Sequence, residues 1–264
     1  MSYFSVQNIT AGYGRHNILE NISFDLEEGT LLGIIGANGS GKTTLLKSLC
    51  GILPHRGTCA LEGAHLEEMS PRQLARLVSY IPQRSGISID ISALDVVLMG
   101  FNPRLGLLEH PGKTMKEQAM LALAQVGLEG KEESNYLHLS EGQKQLCILA
   151  RTLVSDSKLL LLDEPESALD FRFRHQMLSL LRSWVASRER SAIVTLHDPT
   201  LALNFCDRLL LLSEGGVLGI IAPKADSPDK MEQRLSQIYG PVSLRRCHNR
   251  SGQTQILMLR EDEP

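Results

Sequence analysis

Two short runs in this 264-residue chain carry side chains suited to handling a nucleoside triphosphate. The first, GANGSGKT (36–43), has the spacing G-x-x-x-x-G-K-T and lies directly after an apolar, strand-like run and directly before a run with helical spacing. Gly36, Gly39 and Gly41 let the backbone turn tightly enough to aim successive N–H groups at phosphate oxygens. The helix after the loop adds its positive N-terminal end. Lys42 supplies a full charge for the β- and γ-phosphates, and Thr43 puts a hydroxyl where Mg²⁺ accompanies them.

The second run is KLLLLDEP (158–165). Four leucines read as a buried strand that delivers two adjacent carboxylates, Asp163 and Glu164, to its C-terminal edge, where ligands bind in open α/β sheets. Adjacency permits different tasks: Asp163 can hold Mg²⁺ through water, and Glu164 can orient or deprotonate the water that attacks the γ-phosphate.

These residues need a scaffold, and the pattern supplies one. The opening alternates as strand and turn through YFSVQNI, AGYG and ILENISFDLEEG (18–29), and LLGII (31–35) is a short buried strand. TTLLKSLCGIL after Lys42 has helical spacing and stops at Gly51 and Pro54. From about residue 86 to 154 helical patterns dominate, notably 114–128 and 141–156. Strands return at KLLLLDEP, SAIVTLHDP and DRLLLLSEGG, with the amphipathic run 171–185 between the first two, as expected of a parallel sheet wrapped by helices. The expected organisation is an α/β core from 1–85 and 157–225, an inserted helical subdomain at 86–156, and a C-terminal tail at 226–264 ending in the strand-like QILMLR.

Composition narrows the class. With 42% hydrophobic and 22% charged residues the chain has a globular make-up, and a net charge of −3 with no long basic tract argues against nucleic acid as a partner. Apolar runs fall far short of the ~18–20 residues that cross a bilayer, and the N-terminus lacks signal-peptide character, so a cytoplasmic chain is expected. Cys50, Cys59, Cys147, Cys206 and Cys247 are scattered without a C-x-x-C pair, which suits reduced thiols better than a disulfide framework or a zinc site.

Between the two phosphate-handling runs lies LSEGQKQ (139–145), which resembles the signature sequence of ATP-binding-cassette (ABC) transporter ATPases. The resemblance implies a P-loop NTPase core of the RecA-like kind, with an antiparallel β subdomain and the inserted helical subdomain. It also implies that Asn38, Ser40 and Thr44 join the glycines and Lys42 around ATP, and that Ser140, Gly142 and Gln143 bind the γ-phosphate of ATP held by a second copy of the chain. Glu141 stands where glycine is commonest, and a carboxylate there is unfavourable unless it points away from the triphosphate. By the same resemblance Tyr13 in AGYG stacks on adenine, and Gln83 in YIPQ touches Mg²⁺ and the attacking water. His197 in TLHDP contacts the γ-phosphate and supports the glutamate, and Asp170 in SALD couples the two subunits. Glu166 stands where the family often has threonine.

Membership of such a family implies a head-to-tail dimer that sandwiches two ATP molecules with Mg²⁺, closes on binding and reopens on hydrolysis. It would sit on the cytoplasmic face of the membrane against integral permease subunits, with an extracytoplasmic substrate-binding protein in the same system. The permease contact is expected beside residues 84–110. The stretch SALDVVLMGFNPRLG (92–106) resembles importers of iron–siderophore, haem and cobalamin complexes at Val96, Met99, Gly100 and Pro103, although Phe101 replaces a frequent arginine. An ATPase of another metal importer or of an exporter is the alternative. A soluble cassette acting in translation or DNA repair is disfavoured by the single cassette and the lack of heptads.

Overall fold

The computed structural model describes residues 2–83, 86–106, 108–187 and 189–261. The chain opens with two long strands, β1 (Phe4–Tyr13) and β2 (His16–Leu26), followed by β3 (Leu31–Ile35), α1 (Lys42–Leu49), β4 (His55–Leu61), β5 (Ala64–His65), α2 (Pro71–Leu77) and β6 (Val78–Ile81). Three helices come next: α3 (Ala93–Leu98), α4 (Lys113–Gln125) and α5 (Glu141–Leu153). The second half contains β7 (Leu159–Asp163), α6 (Phe171–Ala186), β8 (Ser191–Thr195), α7 (Pro199–Phe205), β9 (Arg208–Ser213), β10 (Gly216–Ile221), α8 (Pro228–Tyr239), β11 (Val242–His248) and β12 (Thr254–Arg260).

A six-stranded sheet in the order β10-β9-β3-β8-β7-β6 forms the centre, parallel throughout except for the β10 edge. A four-stranded antiparallel sheet, β2-β1-β4-β5, faces it. Strand periodicity of two divides the central leucines between two cores. Leu32, Ile34, Leu159, Leu161 and Ile193 pack with the antiparallel sheet and with Leu45, Leu46 and Leu49 of α1, which is thereby clamped between the sheets. Each of these buried leucines contributes roughly 2 kcal/mol. Leu31, Ile35, Leu160, Leu162 and Val194 point to the opposite face, where Met177, Leu178 and Leu181 of α6 cover them.

That second core continues without a break into α3, α4 and α5 through Val96, Val97, Leu123 and Leu146. Gly100, in the turn after α3, lies so close to α5 that an added Cβ would sit 2.1 Å from the Arg151 carbonyl oxygen, so only glycine allows this packing. The chain leaves the central sheet at the end of β6, Ile81, and re-enters it with β7 at Leu159.

The C-terminal segment is more than an appended tail. Ser227 caps α8 by accepting the Lys230 N–H, Pro228 occupies its first turn, and Met231 and Leu235 are buried in the main core. β11 and β12 pair as an antiparallel hairpin, and Asn204 of α7 bonds both the N–H and the C=O of Ile256. All five cysteines are free thiols. No helix among the described residues is long and apolar enough to cross a membrane.

Candidate functional site

The strand-to-helix turn after β3 folds as its glycines require. Gly36 leaves no room for a side chain, since a Cβ would fall 2.2 Å from the Leu212 carbonyl oxygen, and Gly39 and Gly41 take φ values of 82° and 100° that favour glycine. Gly41 is the residue from which α1 starts, so the first amides of that helix open toward the loop. Lys42 is only 5% exposed, and its Nζ donates to the carbonyls of Gly36 at 3.0 Å and Ala37 at 3.2 Å. An ammonium has three protons, so one remains for an anion in the loop. Among the described residues Ser40 Oγ is buried without a hydrogen-bond partner. Tyr13, Asn38, Gly39, Gly41, Lys42, Thr43, Thr44 and Glu164 share the lining of one hollow of about 290 Å³. Tyr13 is half exposed at its rim, the position a stacking ring needs.

The carboxylates stand at the C-terminal end of β7, beside α1. Asp163 is 2% exposed, and its Oδ1 accepts the hydroxyls of Thr43 at 3.1 Å and Thr195 at 3.0 Å, while Oδ2 accepts the Tyr80 phenol at 3.3 Å. Burial and the neighbouring Asp163 raise the Tyr80 pKa, so the phenol stays a donor. Thr43, Asp163 and the Gln83 side-chain carbonyl are hard oxygen donors of the kind Mg²⁺ prefers, so the residues present fit that ion.

Glu164 turns away from the strand with φ of 48°, a left-handed conformation that costs a side-chain-bearing residue about 1–3 kcal/mol. Its N–H is held by Thr195 Oγ1 at 2.8 Å. Gln83 Nε2 and His197 Nε2 both reach the same carboxylate oxygen, Oε2, at 2.7 and 2.6 Å. Among the described residues no hydrogen bond is made to Oε1, which leaves one oxygen of a fixed carboxylate available to a water molecule. Such an arrangement can align and deprotonate a nucleophilic water next to a bound phosphate.

Four supporting residues carry no signal of their role in the sequence. Thr195 sits directly opposite Asp163 in the β7–β8 register and ties both acids together. Tyr80, the penultimate residue of β6, donates its phenol to Asp163. Gln145 of α5 donates to the Gln83 backbone carbonyl, linking the helical subdomain to the glutamine. Glu166 is 2% exposed and accepts the His197 N–H at 3.1 Å, fixing the histidine's backbone; burial raises its pKa. Its place in DEPE is visible in the sequence, but its partner 31 residues later is not.

Ser140, Gly142, Gln143 and Asp170 lie elsewhere. They line a separate hollow of about 370 Å³ that shares no residue with the first. Ser140 caps α5 in a reciprocal capping box with Gln143, and Asp170 caps α6 by accepting the Phe173 N–H at 3.0 Å. Gly142 approaches the Ala168 carbonyl, 3.1 Å from where a Cβ would stand. The Glu141 carboxylate is exposed and paired with Lys144 at 2.8 Å. The expected permease-facing stretch is described except at 84, 85 and 107, which lie outside the described residues.

The family model described as ABC transporter matches residues 19–167. The hemin import ATP-binding protein HmuV of Vibrio parahaemolyticus is 35% identical over 246 residues, which cover 91% of this chain and 92% of the relative. The manganese transport system ATP-binding protein MntB of Bacillus subtilis is 35% identical over 210 residues, or 78% of this chain and 82% of the relative. Among solved structures, a metal-chelate type ABC transporter in an inward-facing conformation superposes with a TM-score of 0.81 at 27% identity, covering 99% of both chains.

Proposed function

The chain belongs to the ABC transporter family of ATP-binding, ATP-hydrolysing subunits, and from that premise we propose that it powers uptake of an iron chelate, haem or cobalamin through a separate membrane permease. Subunits of this family bind ATP and work as pairs against permeases. In this reading the pair sits on the cytoplasmic face of the membrane, and an extracytoplasmic substrate-binding protein delivers the cargo.

Within each subunit Tyr13 stacks on adenine, and Gly36, Asn38, Gly39, Ser40, Gly41 and Thr44 wrap the phosphates while Lys42 neutralises them. Thr43, Asp163 and Gln83 hold Mg²⁺, which when bound supplies positive charge against the charge building on the phosphate oxygens. Glu164 activates water through its free oxygen, and His197 and Gln83 keep that carboxylate in line. Ser140, Gly142 and Gln143 meet the γ-phosphate of the partner's ATP from the N-terminus of α5, and Asp170 lies beside them in the contact between copies. Two half-sites that line separate hollows with no residue in common support a head-to-tail pair. The observation that carries the catalytic reading is the Glu164 carboxylate pinned on one oxygen beside the phosphate loop.

The cargo assignment is supported by the near full-length likeness to a hemin import subunit and to a metal-chelate type transporter. Manganese import is the second reading, supported by the likeness to MntB over a shorter span. Uptake of haem, a ferric siderophore, cobalamin and Mn²⁺, each measured in cells lacking this chain, separates them. Loss of one chelate class, restored by the wild-type chain and not by Glu164→Gln, is the expected result. Selective loss of Mn²⁺ uptake would transfer the assignment to the second reading.

A further inference from the structure

A second constellation of chemistry-bearing side chains stands outside the nucleotide hollow, in the antiparallel sheet. β4 is bent at Gly57, whose φ is 95° and where an added Cβ would sit 2.5 Å from the carbonyl oxygens of both Gln7 and Asn8, so only glycine permits the bend. The register with β1 slips at the same place, between Gln7 and Thr10. A straight strand would hold residues four apart at about 13 Å. The bend instead returns the His55 side chain toward Cys59, and Glu67, from the single helical turn 66–68, closes the third side. The donor atoms of His55, Cys59 and Glu67 all lie within 4.8 Å of one another.

Glu67 Oε1 is 3.2 Å from His55 Nε2 and accepts the Cys59 N–H at 2.6 Å. Cys59 is buried, and the His55 ring is almost so. His55 and Glu67 also border a groove of about 520 Å³ whose walls include Cys50, Leu66, Met69 and Leu74.

We propose that His55, Cys59 and Glu67 form a binding site for a divalent transition-metal ion of the zinc type, with its fourth coordination position open to this groove. Imidazole, thiolate and carboxylate together are the donors that four-coordinate Zn²⁺ and Co²⁺ take, whereas Mg²⁺ selects oxygen alone. The site is therefore chemically distinct from the oxygen donors Thr43 and Asp163. Tetrahedral bonds of about 2.0–2.3 Å place donors roughly 3.5 Å apart. His55 and Glu67 already meet that spacing, and the Cys59 sulfur needs to close by about 1.3 Å at most, within reach of side-chain rotation. On binding, the Cys59 S–H bond is replaced by a sulfur–metal bond and the proton passes to buffer, while the His55 Nε2 proton exchanges through solvent to Nδ1, so that the His55–Glu67 hydrogen bond is replaced by one metal bond from each residue. The metal would tie the two ends of the bent strand to the wall of the groove.

Titration of the metal-free full-length chain with Co²⁺ tests the assignment, because only a thiolate ligand gives sulfur-to-cobalt charge transfer in the near ultraviolet. One equivalent is expected to produce that absorption together with the intense visible bands of four-coordinate cobalt, and Zn²⁺ should displace both. Cys59→Ala should abolish the charge-transfer band. His55→Ala and Glu67→Gln should each weaken binding at least tenfold, and Cys247→Ser, at an exposed cysteine, should leave it unchanged. Cys59→Ala removes a buried group, so circular dichroism of the metal-free variant must match the wild type. Glu67→Gln keeps an acceptor for the Cys59 N–H and serves as the second probe, through loss of the Zn²⁺-induced rise in melting temperature. Absence of the band at one equivalent, its survival in Cys59→Ala, or unaltered affinity in His55→Ala would overturn the site and leave His55 and Glu67 as a plain hydrogen-bonded pair.

Discussion

Thr195→Val replaces a hydroxyl by a methyl of nearly the same volume at the point where both acids are held. Thr195 is fully buried, accepts the Glu164 N–H at 2.8 Å and donates to Asp163 at 3.0 Å. Leaving the Glu164 N–H buried without a partner costs about 1–3 kcal/mol, and losing a hydrogen bond to the charged Asp163 costs about 1.5–3 kcal/mol, partly offset because Thr43 and Tyr80 still serve that carboxylate. A net loss of about 3 kcal/mol is expected. At about 2.1 cal/mol/K per residue, 264 residues give an unfolding entropy near 0.55 kcal/mol/K, so the melting temperature should fall by about 5 °C. The left-handed backbone at Glu164 loses its anchor as well, so ATP turnover should drop by about a hundredfold or more, a barrier change of about 2.7 kcal/mol. Thr195→Ser keeps both hydrogen bonds and removes one methyl, for about 1 kcal/mol and near-normal turnover. Scanning calorimetry and steady-state ATP hydrolysis on both variants read the two effects. If the valine variant melts with the serine variant and hydrolyses ATP at the wild-type rate, the hydroxyl does not organise the acids and the reasoning fails.

Lys42→Ala removes the ammonium from beneath the loop and should weaken ATP binding at least tenfold; unchanged affinity by calorimetry would contradict its role. Ser140→Ala breaks a capping box for about 1 kcal/mol, near 2 °C in melting temperature, and should spare nucleotide binding by the single chain while impairing ATP-driven pairing. Intact pairing in sedimentation would count against the trans half-site. Burial raises the pKa of Glu166 in the folded chain, so its protonated form is favoured there and its contribution to stability is lost as pH rises through the folded value. Glu166→Gln should therefore melt higher than the wild type at pH 8, with the gain shrinking toward pH 5. A gain that grows on acidification would reverse the sign.

Legibility in the sequence followed contiguity. The phosphate loop was readable because glycines, lysine and threonine act within eight consecutive residues, and the acids because four leucines announce a buried strand and its end. Thr195 was invisible because its role depends on the β7–β8 register, which sets it against Asp163 only after two distant segments pair. Glu166 and Gln145 likewise act on residues 31 and 62 positions away. The tail was legible in its final strand, whereas helix α8 and the burial of its Met231 and Leu235, which depend on capping and long-range packing, were not expected from the sequence. Scattered cysteines without C-x-x-C spacing pointed away from metal binding, because the approach of Cys59 to His55 depends on a bend at a glycine rather than on spacing.

ATP hydrolysis by the purified chain with Mg²⁺, wild type beside Glu164→Gln and followed across a protein-concentration series, bears most directly on the motor itself. The geometry predicts specific activity that rises with concentration in the wild type, and a variant that binds ATP, accumulates as a dimer and does not turn over. Normal turnover in Glu164→Gln would contradict the assignment of the water-activating carboxylate, and concentration-independent activity would contradict the shared site.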